Sequence, residues 1–191
     1  MYNVFKVVNW FRLKNVEELV SEDVNAEPLT QMKVMKLLYY AQATFLVKYG
    51  QRLFDSDILA WKFGPVVAEV HDKYRGRRII VESISYEAYQ DFSTLESDKR
   101  ASQVLNAVYI AFGSYSASTL MKKTHTEMPW KSTSQGAKIE DDKMKEFYKE
   151  TGLDTEISEK YDHVIMRKLY EENREAMDIL KYKWYIWVVS K

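Results

Sequence analysis

The run from Leu29 to Tyr74, LTQMKVMKLLYYAQATFLVKYG followed by QRLFDSDILAWKFGPVVAEVHDKY, constrains the fold more than any other part of the chain. Thr30 stands where a helix N-cap is needed, with Pro28 just outside, because its hydroxyl can accept from a backbone N–H that the first turn leaves unpaired. Val34, Leu38, Ala41 and Phe45 recur at helical spacing, and Leu37 and Leu46 widen the stripe. Gly50 is placed to close the helix in the left-handed conformation. Such a helix spans roughly 30 Å at about 1.5 Å per residue, so the rest of a small domain must pack around it. Ile58–Trp61 reads as a short extended run and Gly64-Pro65 as a break. Pro65 suits the first turn of a second helix with Val66, Val67, Val70 and Tyr74 on its apolar side.

The remaining segments are read from this centre outwards. Val4, Val7, Val8 and Phe11 predict a first amphipathic helix, with Trp10 off the stripe and partly exposed. Lys14–Glu27 is polar, a loop or weak helix. Ile79–Tyr86 is β-branched with partial alternation and reads as a strand, and Tyr89–Ser97 reads as loop. Lys99–Phe112 resumes helical spacing and stops at Gly113. Ser116 or Ser118 can cap a short helix ending near Lys123, and Pro129 starts another turn. Ser132–Asp142 is polar, carries Gly136, and reads as a flexible segment or minor boundary. Asp141–Lys149 reads as a short helix closed at Gly152. Ile157, Tyr161, Val164 or Ile165, and Leu169 form a further helical stripe, and Ile179 with Leu180 a second. The end, KYKWYIWVVSK, has strand-like composition and could pair with the Ile79 strand. The expectation is a mainly α, compact single helical domain around a long central helix, with room for a small β-sheet or hairpin. Residues 1–134 form its body, and 135–191 a C-terminal extension packed on the same domain.

Composition narrows the chemistry. The chain has no cysteine, so disulfides, thiol nucleophiles and thiolate zinc sites are excluded. Its 28 basic and 28 acidic residues cancel, leaving no global field for DNA or anionic membrane. Arg75, Arg77 and Arg78 could still form a phosphate-binding patch, but a solvated helix end explains them as well. Neither a signal peptide nor a membrane-spanning run is visible, and a soluble cytoplasmic protein is expected. The three histidines, His71, His125 and His163, lack metal-ligand spacing, and no metal or organic cofactor is expected. His71-Asp72 and Thr124-His125 are the only pairs that suggest a hydrolase. Adjacent residues point apart on a helix, and His125 is better read as a helix-end residue that hydrogen-bonds backbone and fixes the turn into Pro129-Trp130. Trp61 could wall a ligand pocket, but its apolar neighbours and the chain reversal after it favour a core anchor.

Two blocks carry a resemblance. KLLYYAQ with LFDSDILAWKFGPVVAEVHDKY, and LMKKTHTEMPW further on, are similar to the signature of the Panacea-domain family, also described as SocA-like or phage-associated GepA-like proteins. The resemblance covers roughly Phe5 to Ser134. It implies an antitoxin and not an enzyme: a protein-binding module that neutralises a cognate toxin, in some members as an adaptor that hands the toxin to a protease. It also implies that Trp61, Gly64, Pro65, Thr124, His125, Pro129 and Trp130 are signature residues acting through the fold. Partner specificity is then expected outside the shared blocks. The segment after Ser134, the surroundings of Tyr86 and Tyr89, and above all Tyr182, Trp184, Tyr185 and Trp187 are the candidates, since large amphipathic rings suit interface anchors. A DNA-binding autoregulator resting on the arginine cluster, and a hydrolase centred on His71 or His125, are the alternatives.

Overall fold

The computed structural model describes residues 1–21 and 26–172. The mainly helical expectation holds. Among the described residues the elements are α1 (Val4–Val20), α2 (Gln31–Tyr49), β1 (Leu59–Trp61), β2 (Gly64–Val66), α3 (Ala68–Lys73), α4 (Tyr86–Ser97), α5 (Lys99–Phe112), α6 (Ala117–Thr126), α7 (Met128–Lys131), α8 (Asp141–Thr151) and α9 (Leu153–Glu172). Helix α2 is the centre. Every residue from Lys33 to Leu46 is buried, because α1, α5, α6, α8, α9 and the hairpin surround it on all sides. Its ends are fixed as local chemistry dictates. The Thr30 hydroxyl accepts from Lys33 N–H, and Gly50 adopts φ 66°.

Several segments differ from their sequence reading, each for a physical reason. Trp10 is fully buried: α4 packs across α1, Phe92 stacks on the indole, and the indole N–H donates to Glu96 at 2.7 Å. Tyr89–Ser97 is therefore helix and not loop. Ile79–Tyr86 forms no strand. It makes one bridge, from Ile79 to Thr30, and its backbone is held by the buried Arg12 guanidinium, which donates to the carbonyls of Ile80 and Ser83. Pro65 does not open a helix: it lies in β2, opposite Ala60 in an antiparallel hairpin, and α3 starts only at Ala68. The segment read as flexible lies along β1 instead. Ala60 N–H donates to Ala137 O, Gly136 N–H to Ala60 O, and Ile139 N–H to Ile58 O at 2.7–2.9 Å. The C-terminal aromatic run with Tyr182, Trp184, Tyr185 and Trp187, and the Ile179–Leu180 stripe, lie outside the described residues.

Candidate functional site

The hairpin β1–β2 rests on the middle of α2 and against the end of α6. Its turn depends on Gly64, whose φ of 97° is a region that side chains avoid. A Cβ built there would lie 2.8 Å from Lys36 Nζ and 2.9 Å from Thr124 Oγ1, so any other residue would have to displace the Lys36 amine and the Thr124 hydroxyl. Thr124 is held in place by donating to Met121 O at 2.9 Å. Lys36 Nζ donates to the Pro65 carbonyl at 2.9 Å. Gly64 and Pro65 thus connect α2 to α6 through one backbone segment.

The second sequence block closes the corner. Trp130, presented by α7, donates its indole N–H to Trp61 O at 3.0 Å and stacks face to face on His125, with ring centroids 4.0 Å apart and planes 8° from parallel. His125 differs from its sequence reading. Its Nε2 is buried with no hydrogen-bond partner among the described residues, and the ring is fixed by stacking. Burial, reinforced by the charge of Lys36, lowers its pKa and keeps it neutral. Two residues on, Glu127 accepts from Tyr40 at 3.0 Å and from Tyr148 at 2.6 Å, tying α2 and α8 to the same corner. Burial raises the Glu127 pKa against the opposing effect of Tyr148, Lys123 and Tyr40. The structure therefore brings together Trp61, Gly64, Pro65, Thr124, His125 and Trp130, and buries Pro129 in α7 beside Trp130.

Trp61 is only half-buried, which corrects its reading as a core anchor. One side of its ring meets His71 edge-on at 4.9 Å. Here the surface opens into a cleft of about 450 Å³ between α2, the hairpin and α3. Gln31, Met32, Met35 and Lys36 line it from α2, and Trp61, Lys62, Phe63, Gly64 and Val66 from the hairpin. His71 and Gln135 complete the lining. Phe63, at the hairpin tip, is 58% exposed and Met32 40% exposed, a concentration of apolar surface beside the cleft mouth.

Lys36 is the functional candidate that sequence reasoning missed. It is 2% exposed, and burial pushes its pKa down to about 7. A lysine in a helix normally extends to solvent. The signal that could have found it was the fully apolar surroundings of KLLYYA, which leave that helix no solvent-facing side. The alternatives are placed elsewhere. His71 Nδ1 lies 3.2 Å from Asp72 Oδ1 on the surface, and Arg75 pairs with the same carboxylate, so the start of the arginine cluster is already engaged. Among the described residues no His, Asp and Glu groups gather as metal ligands, and no helix is long and apolar enough to cross a membrane.

Comparison with known proteins converges on the same part of the chain. The model of the family described as Antitoxin SocA-like, Panacea domain, matches residues 34–131. That span opens in α2, ends in α7 and contains the whole corner. Antitoxin SocA from Caulobacter vibrioides (strain NA1000 / CB15N) is 30% identical over 110 residues, which are 54% of this chain and 58% of that protein. The chain thus spans somewhat more than half the length of this curated relative. No solved structure matches. A family match over half of the chain, centred on the corner that α2, the hairpin, α6 and α7 build together, makes this protein a member of the SocA-like, Panacea-domain antitoxin family.

Proposed function

We propose that the chain is an antitoxin that neutralises a cognate toxin by binding it directly, in the cytoplasm, without catalysis of its own. The observation that carries this reading is the family match across residues 34–131, together with a relative named as an antitoxin. The site chemistry is in keeping with it. Thr124 and His125, the pair that would serve a hydrolase, are committed to packing: the hydroxyl donates to Met121 O and the imidazole is covered by Trp130. Among the residues that face solvent near them are Phe63 and Met128, 58% and 53% exposed, large apolar side chains of the kind that protein interfaces favour. Delivery to a protease is compatible with this mechanism as a later step, because an adaptor must first hold its cargo.

The test is co-expression with toxin-sized open reading frames encoded next to this one. An arrest of growth by one of them, relieved by this protein, with the two recovered together on affinity purification, is the expected outcome. Relief of toxicity by a protein that never co-purifies with the toxin would contradict direct binding.

A further inference from the structure

The cleft between α2, the hairpin and α3 has a composition that selects its occupant. Its walls are mainly apolar, from Met35, Trp61, Phe63 and Val66, and its volume of about 450 Å³ falls in the range of pockets that enclose a compact group. Every ionisable residue in the lining is a potential cation: Lys36, Lys62 and His71, with no carboxylate among them. Lys36 is 2% exposed and its ammonium has a single hydrogen-bond acceptor among the described residues, the Pro65 carbonyl, out of three it could engage. A buried ammonium with spare donors is costly unless an anion completes it. A Cβ on Gly64 would lie 2.8 Å from the amine, which places it directly against the hairpin turn that lines the cleft.

We propose that this cleft is a docking site for a polypeptide segment that presents a carboxylate beside an apolar side chain, the side chain seated against Trp61, Phe63 and Met35 and the carboxylate paired with Lys36. The proposal rests on the protein-binding reading given above and gives that reading a surface and a chemistry. The buried cation sets the preference for an acid. The exposed Phe63 ring at the hairpin tip extends the apolar contact beyond the pocket, as an interface anchor does.

N-Acetylphenylalanine carries both elements on one small molecule, and N-acetylphenylalaninamide lacks only the charge. Titration of the full chain with labelled methionine methyls, followed by NMR, reads the site directly, because Met32 and Met35 line it and Met144 is buried elsewhere. The acid is expected to shift Met32 and Met35 saturably and to bind at least tenfold more tightly than the amide. Lys36→Met should remove that difference, whereas Phe63→Ala should weaken both compounds alike. Equal binding of acid and amide to the unaltered protein, an undiminished preference in Lys36→Met, or shifts centred on Met144 would overturn the proposal. A second arm uses the toxin found by co-expression. Loss of neutralisation by Phe63→Ala at an unchanged melting temperature supports docking here. Full neutralisation by both variants places the toxin elsewhere and overturns the docking site while leaving the antitoxin reading intact. Failure of the unaltered protein to neutralise any neighbouring toxin removes the reading on which the proposal stands.

Discussion

Lys36 is a lysine that the fold keeps away from water. Its pKa falls from 10.5 to about 7 through burial, so between those values the unfolded chain binds a proton that the folded chain has released. Stability from this group therefore rises with pH across that window, and the cost of burying the charge is fully present below about pH 7. Lys36→Met keeps the length of the side chain and deletes the amine. Relative to the unaltered protein it should gain on the order of 3 kcal/mol near pH 6, less about 1 kcal/mol for the Pro65 carbonyl left without its donor. That gain should shrink as pH approaches 10, and calorimetry over this range checks the trend; a difference that does not vary with pH would mean that the amine is not buried. Gly64 presents the complementary case. Alanine there meets a positive φ and two close side-chain atoms at once, so Gly64→Ala should cost about 2 kcal/mol or more, seen as a lower urea midpoint. Trp61→Ala should cost less than the removal of a fully buried ring, because this ring is only partly buried and lines the cleft.

Elements were legible where local chemistry decides them. Thr30, Gly50, Ser116 and Gly152 stand at helix ends in the structure as their side chains or backbone freedom predict. What the sequence hid was decided by distant partners. Helix α4 buries only Ala88, Asp91 and Leu95, so its periodicity is faint, and it is held as a helix by packing on α1. Ile79–Tyr86 has strand composition but, among the described residues, no neighbouring strand to form a ladder with, and Arg12 takes up the carbonyls of Ile80 and Ser83. The corner residues could be named from the family resemblance, yet the buried Lys36 amine and the cleft exist only once the hairpin lies across α2. The α1–α4 pairing carries its own prediction. Trp10→Ala should cost about 3–5 kcal/mol, as removal of a fully buried large ring does, whereas Tyr86→Ala and Tyr89→Ala, both exposed on α4, should stay within about 0.5 kcal/mol. Comparable losses from all three in urea unfolding would contradict this account of how α4 is held. Glu127 makes a further test at the junction of α2, α6 and α8. With its pKa raised by burial, the folded chain keeps a proton to higher pH than the unfolded chain, so this group disfavours the folded state as pH rises. Glu127→Gln should therefore gain on the unaltered protein as pH rises through and above the ordinary carboxyl range, read as a widening difference in melting temperature.

At the scale of the whole molecule, one buried helix organises the rest, and the family signature marks the place where three other elements join it. The hairpin, α6 and α7 meet over Lys36, Thr124 and Trp130, and the cleft opens at the margin of that junction. Such an arrangement has a packed interior, with the Phe63 ring exposed at the hairpin tip beside it. The neutralisation proposed for this protein is a stable association of folded proteins. Sedimentation velocity on the purified protein mixed with the toxin it neutralises tests this without any assay of activity. The account predicts one boundary that moves faster than either protein alone and that persists on dilution to sub-micromolar concentration. Two boundaries at the positions of the separate proteins, from a pair that shows full rescue in cells, would contradict it.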